Sequence, residues 1–244
     1  MWREATPGAS PPRTAQRAIQ DSQSIMCPTV WFYLAEIYRL QDEHPWPTLS
    51  MVADSMGVSL QAASRMIRRM AENGHIEHEP YRGVRLTPEG EKIALQVIRR
   101  HRILEAYMVG VMGFGWHEVH DMVELMERGV DDRLIDRMDE MAGFPRRCPH
   151  GEPIPSKDGV MPRVDDGPLS DWPETTAAEV SRVKTHDPDK LQYLQSVNLT
   201  PGTPLVVIAR SPFNGPVHLE CAGERFVIGN ELASELYVQA PDGA

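Results

Sequence analysis

The stretch TLSMVADSMGVSLQAASRMIRRMAENGHI, residues 48–76, decides how the chain is to be read. Leu49, Val52, Ala53 and Met56 recur at helical spacing, Gly57 supplies a turn, and Ser59 carries a hydroxyl suited to cap a second helix. The apolar face of that helix is Ala62, Ala63, Met66, Ile67 and Met70. Two short amphipathic helices joined through a glycine make a helix-turn-helix. Asn73-Gly74 ends the second helix, and EHEPYRGVRL (77–86) follows as two extended halves around Pro-Tyr-Arg-Gly, the pattern of a wing hairpin. Upstream, Val30, Tyr33, Leu34, Ile37, Tyr38 and Leu40 mark a first helix that ends before Pro45 and Pro47.

In such a motif the second helix enters the major groove with its N-terminal residues at the base edges, which selects Ser59, Gln61, Ser64 and Arg65. Arg65, Arg68 and Arg69 add positive charge there, and Arg82 and Arg85 on the wing are placed to reach phosphates. Arginines on a helix are otherwise a solvated face. Here the basic helix, the glycine turn, the wing and a capped exit helix occur together, so double-stranded DNA is the expected partner. A formal net charge of -10 excludes a protein that coats nucleic acid indiscriminately and leaves room for a local basic patch.

The next segment opens with Thr87 as a cap, Pro88 at the first helical position and Glu89 and Glu91 in the first turn. Gly113 to Gly115 interrupt this helix; a second is expected from about Trp116 to Arg128 and a third from about Asp131 to Met141, before Gly143 and Pro145. Within it, HRILEAYMVGVMGFGWHEVHDMVELMER (101–128) twice places a histidine four residues before a glutamate: His101 with Glu105 and His120 with Glu124. Residues four apart stack on one helical face, so two such helices packed together make a metal site. A lone histidine on an apolar helix is ordinarily a core residue, and a glutamate near Arg99, Arg100 or Arg102 is ordinarily a surface ion pair; the repeated spacing favours metal. His117, Cys148 and His150 are read as structural, because CPHG lacks a second half to complete a zinc site.

Residues 1–25 have no apolar period and are expected to be a disordered tail, with Met26 an alternative start. Residues 26–91 would form the winged helix-turn-helix domain, 92–160 a helical domain, 161–178 a polar, Pro-rich linker, and 179–244 a small β-barrel from PLVVIARS, PVHLECA, ERFVIG and ELYVQ. Three cysteines far apart, Cys27, Cys148 and Cys221, fit a reducing compartment. No apolar run approaches the roughly 20 residues of a membrane span, and the N-terminus lacks a signal core, so a cytoplasmic location is expected.

YLAEIYRL (33–40), the helix-turn-helix, LTPEGEKIA (86–94), RRHRILE (99–105), EVHDMVELME (118–127) and CPHGEPIP (148–155) appear in that order, and together they resemble the diphtheria-toxin-repressor family of metal-dependent transcriptional regulators. The resemblance implies a mainly α fold with small β parts: a winged helix-turn-helix, a helical metal-binding and dimerisation domain, and a C-terminal SH3-like barrel. It implies an ancillary metal site of His101, Glu105 and His120, joined by Asp187 just before the first strand of the third domain, with His186 a nearby substitute and Lys190 where iron-responsive members carry glutamine. Glu124 and Glu127 match ligands of a second site, Glu124 as in the manganese-responsive branch, but Phe32 and Arg128 occupy the other ligand positions of that site. An arginine has no lone pair to donate, so that site is either rebuilt or has the charge of Arg128 in place of the cation, against Glu124 or Glu127.

The implied function is a homodimeric, non-enzymatic repressor of manganese or iron uptake genes. Mn(II) or Fe(II) would activate it to bind a palindromic operator, with Zn(II) or Co(II) able to substitute. The dimer surface would include residues 106–114 with Met122 and Met126. Two rivals stand beside this reading. One is a winged-helix regulator that senses a small organic ligand; the other is a metal-dependent hydrolase, for which no nucleophile or base separate from the ligands is evident.

Overall fold

The computed structural model describes residues 28–241, so the expected tail at 1–25 and the start at Met26 lie outside the described residues. The chain divides between Gly90 and Glu91 into two compact units.

The first unit carries α1 (Pro28–Gln41), α2 (Leu49–Ser55), α3 (Leu60–Glu72), β1 (Ile76–Glu79) and β2 (Gly83–Leu86). The side chains of Thr48 and Ser59 cap α2 and α3 by accepting the N–H groups of Met51 and Ala62, each at 3.2 Å. Between them Gly57 takes a positive φ of 62°, which lets the chain turn without a side-chain clash. Leu34, Ile37, Val52, Ala63, Ile67, Met70 and Val84 are buried together as the apolar content of this unit, while Met66 is only half-buried. The hairpin pairs Ile76 with Leu86 and Glu79 with Gly83. A Cβ at Gly83 would lie 2.5 Å from the Pro47 carbonyl oxygen, and that oxygen accepts the Val84 N–H at 2.9 Å, so glycine is what allows the wing to close onto the chain ahead of α2.

Thr87 fixes the way out of the wing. Its hydroxyl oxygen accepts the Gly90 N–H at 3.1 Å and its proton goes to the Gly74 carbonyl at 2.8 Å. Thr87→Ala is therefore expected to lower stability by about 1 kcal/mol, the usual cost of losing a helix cap. A calorimetric Tm equal to that of the parent protein would show that the cap contributes nothing.

The second unit begins within α4 (Pro88–Gly110) and continues through α5 (Val119–Met126) and α6 (Asp132–Met141) around Ile103, Leu104, Met108, Val119, Val123, Ile135 and Ile154. Arg99 holds Asp139 of α6 at 2.5 Å, and Arg100 pairs with Asp132 and the Val130 carbonyl, fastening α6 onto α4. Beyond these helices lies an antiparallel sheet ordered β3-β8-β4-β5-β6-β7, built from β3 (Gly167–Pro168), β4 (Ala177–Val183), β5 (Pro204–Arg210), β6 (Val217–Cys221), β7 (Glu224–Ile228) and β8 (Leu236–Gln239). Two helices, α7 (Pro188–Ser196) and α8 (Asn230–Glu235), accompany it. Its core of Val180, Val183, Leu191, Leu194, Val207, Leu219, Leu236 and Val238 also takes in Trp116 from the helical segment.

Two parts of this domain differ from the sequence reading. Within the tract expected to be a linker, Gly167 and Pro168 pair with β8, Leu169 is fully buried, and β4 begins at Ala177. A segment too poor in apolar residues to pack alone is ordered by the sheet it joins. The strand β4 and the helix α7 precede the first expected strand, so Asp187 follows a strand rather than leading into one.

Candidate metal centre

The C-terminal half of α4 brings His101 and Glu105 onto one face, and α5 brings His120 opposite them. Three donor atoms meet: His101 Nε2 to Glu105 Oε1 is 3.1 Å, His101 Nε2 to His120 Nδ1 is 3.2 Å, and His120 Nδ1 to Glu105 Oε1 is 3.3 Å. Metal–ligand distances of about 2.0–2.2 Å put neighbouring donors roughly 3–3.5 Å apart, so this near-equilateral triangle has the dimensions of one face of a coordination shell. Its members are buried or half-buried, with Glu105 only 1% exposed.

Each histidine of the triangle turns its other nitrogen to a carboxylate. His101 Nδ1 lies 2.9 Å from Glu127 Oε2, and His120 Nε2 lies 3.5 Å from Glu124 Oε1. Such outer carboxylates fix the tautomer and orientation of a ligating imidazole. Glu124 is 61% exposed in its side chain, whereas Glu127 is buried.

The second oxygen of Glu105 faces a different group. His150 Nδ1 stands 3.5 Å from Glu105 Oε2 and 3.9 Å from Cys148 Sγ, and its Nε2 donates to the Trp116 carbonyl at 2.8 Å. His186 completes the enclosure, stacked on His120 at 3.9 Å between ring centroids and edge-on to His150 at 5.4 Å. Asp187 is instead the N-cap of α7, where Oδ1 accepts the N–H groups of Asp189 and Lys190 at 2.9 and 3.2 Å. Lys190 turns to Glu231 and Glu235. Cys148 and His150, read from the sequence as structural for want of a second half to their Cys-x-His spacing, come together with Glu105 of a distant helix.

Electrostatics follow from this crowding. Burial disfavours a charged His101, but the hydrogen bonds to Glu105 and Glu127 outweigh it and raise the imidazolium to about 9. Burial likewise opposes charge on Glu105, yet His101, His120 and His150 hold it well below the ordinary carboxylate range. His150 is pushed up to about 10, burial again being outweighed by Cys148 and Glu105, while burial and the charge of Glu105 push the Cys148 thiol up. The site therefore stores protons near neutrality. For stability the sign is direct: the charged His101 pair contributes fully below the unfolded value near 6.5, and that contribution is lost as pH rises through about 9.

Cation binding requires neutral imidazole, so Mn(II) uptake at pH 7.5 is expected to release protons, and apparent affinity should climb with pH toward about 9. Titration calorimetry in buffers of different ionisation enthalpy measures this. Heats that do not depend on the buffer would contradict it.

In the first unit the residues expected to face DNA are partly committed. Gln61, Arg65 and Arg69 are exposed on α3, Ser64 is half-buried, and Ser59 is the cap already described. Arg82 pairs with Glu79 at 2.9 Å and lies over the Trp46 ring at 4.0 Å. Among the described residues no helix is long and apolar enough to cross a membrane.

Comparison with known proteins covers most of the chain. Residues 29–84 match the family described as the iron dependent repressor N-terminal DNA binding domain, 87–156 the iron dependent repressor metal binding and dimerisation domain, and 167–240 the FeoA domain. The chain is 26% identical over 227 residues to the diphtheria toxin repressor of Corynebacterium glutamicum, covering 88% of this chain and 97% of that one. It is 28% identical over 117 residues to the HTH-type transcriptional regulator MntR of Bacillus pumilus, covering 48% and 81%. Among solved structures, a manganese-dependent transcriptional repressor in complex with manganese is 35% identical with a TM-score of 0.80, covering 86% of this chain and 99% of that chain.

Proposed function

This chain belongs to the diphtheria-toxin-repressor family of metal-dependent transcriptional repressors, and from that premise we propose that His101, Glu105 and His120 hold the activating cation, Mn(II) first and Fe(II) second. The family is dimeric through its helical domain and binds operator DNA through its winged helix. The observation that carries the reading is the buried triangle of three donors at 3.1, 3.2 and 3.3 Å. Zn(II) and Co(II) suit the same nitrogen and oxygen donors, consistent with relatives solved with bound manganese, cadmium and zinc.

In this reading Glu127 and Glu124 serve as the outer carboxylates that orient His101 and His120. Phe32 and Arg128 bring no donors to a second site, which favours that division of labour. His186, from the segment between β4 and α7, stacks on the His120 ring, with Asp187 beside it as the helix cap. A bound divalent cation supplies the charge that holds these donors together. His101 would give up its proton and its hydrogen bond to the Glu105 carboxylate, and α4, α5 and the loop bearing His150 settle into one arrangement. Metal and DNA prefer that arrangement together, with a coupling of about 1 to 3 kcal/mol.

Gln61, Ser64, Arg65 and Arg69 then read or flank a palindromic operator, one half-site per subunit, with Ser59 and Arg82 at the edges of the contact. The protein acts in the cytoplasm and has no enzymatic role, controlling manganese or iron uptake genes. A randomised duplex pool selected with the manganese-loaded chain yields the probe for the test. Binding of that probe is expected to fall to a basal level after chelation and to return with Mn(II) or Fe(II). Equal binding by the chelated chain would overturn the reading, and a response to organic metabolites alone would favour the ligand-sensing alternative.

A further inference from the structure

The loop Cys148–Pro155 does more than carry His150. Its Gly151 has a φ of 85°, and a Cβ there would meet the Ser181 carbonyl oxygen at 2.2 Å, so the loop lies directly on β4. The Val183 N–H donates to the His150 carbonyl at 2.8 Å, and Arg147 donates to the Gly151 carbonyl at 2.7 Å and to the Ser181 hydroxyl at 3.1 Å. Wherever β4 goes, the backbone of His150 goes with it.

Two residues after His150 is Glu152, whose carboxylate has two cationic partners from different domains. One is Arg102, next to His101 on α4, whose guanidinium also donates to the Pro153 carbonyl at 2.6 Å. The other is Arg182 of β4, at 3.4 Å. Arg182 in turn grips Asp166 through two hydrogen bonds of 2.9 and 3.0 Å, and Asp166 accepts the Ser181 hydroxyl at 2.7 Å. The four charged side chains are mostly buried and sum to zero. In such surroundings a missing carboxylate leaves its cations with an uncompensated charge, so the cluster holds together only when complete.

We propose that Glu152 is a positioning residue that links the metal centre to the docking of the β domain, because one carboxylate joins the helix of His101, the loop of His150 and the strand β4. This rests on the metal-centre reading above and adds to it a connection through Glu152 to the strand β4. It makes cation binding and β-domain docking a single equilibrium. A cation held by His101, Glu105 and His120 fixes the carboxylate that His150 faces and so tightens the hold on β4, and a firm hold on β4 keeps His150 in place against Glu105.

The test uses the full chain with Glu152→Gln, Arg182→Gln and the double variant, with Mn(II) and Co(II) as probes. Glu152→Gln is expected to weaken Mn(II) binding by about tenfold, as loss of an outer partner does, and to change the Co(II) ligand-field spectrum. In the metal-free chain it should also speed amide exchange at Val183. Arg182→Gln should act alike, and the double variant should lose little more than either single one, since the two share one interaction. Parental Mn(II) affinity and Co(II) spectrum in Glu152→Gln overturn the proposal, as do fully additive effects. Should the parent chain bind no Mn(II), the metal-centre reading fails by itself; the exchange experiment, which needs no metal, still decides whether Glu152 clamps β4. If Glu152→Gln does not fold, Glu152→Asp keeps the charge with a shorter reach and is expected to shift both readouts in the same direction, and parental values in both overturn the proposal.

Discussion

Glu105→Gln and His101→Ala are expected to abolish the metal response of DNA binding. Glu105 faces His101, His120 and His150, so its replacement removes the carboxylate on which three imidazoles converge. A neutral amide keeps the shape and loses the charge, and Mn(II) affinity should drop by at least about 100-fold, the upper end of what even outer partners cost. His101→Ala removes one corner outright and strands Glu127, its 2.9 Å partner. Glu127→Gln and Glu124→Gln should weaken Mn(II) binding by only about tenfold if these carboxylates orient the histidines rather than ligate. Equilibrium titration with Mn(II), followed by operator binding, separates the cases. Glu105→Gln with parental affinity would remove the centre from the mechanism, and Glu127→Gln as damaging as Glu105→Gln would return Glu127 to the ligand set.

Arg65→Ala is the second large effect, and it belongs to the reading head. Arg65 is exposed on α3, within two turns of the cap at Ser59, where a recognition helix meets base edges. Its loss should cost about 1–3 kcal/mol of specific binding and relax the base preference at one position of each half-site. Arg82 differs because Glu79 already neutralises it and Trp46 already covers it. Arg82→Ala should therefore change affinity less than Arg65→Ala. Binding isotherms on the selected duplex and on single-base variants give both answers; Arg65→Ala with unchanged affinity and unchanged preference would take Arg65 out of the contact.

What could be read from the sequence was local. The caps at Ser59 and Thr87, the turn at Gly57 and the apolar spacing of α1 and α3 lie within a few residues of what they govern, and all appear in the structure. The His101–Glu105 step was legible for the same reason, since helical spacing alone aligns the two. The partnership of His101 with Glu127 was not, because the sequence offers Glu127 only as a neighbour of its own helix and the contact arises from how α5 packs on α4. Cys148 and His150 were obscured in the same way: the third member of their group is Glu105, which no spacing rule connects to a loop so far along the chain. The helix α7 went unread because Leu191 and Leu194 alone face the core among charged and polar neighbours, and the strand β4 because its alternation is interrupted between Val180 and Val183.

The indole of Trp116 sits in the core of the β domain, stacks on His150 at 5.7 Å between centroids and donates to Gln195 at 3.1 Å. A shortened version of this protein ending before the sheet would leave that large ring facing water beside His150. Excision of the C-terminal third should thus yield a sticky, poorly metallated fragment rather than a minimal two-domain switch, and any streamlined sensor engineered from this scaffold must first redesign position 116.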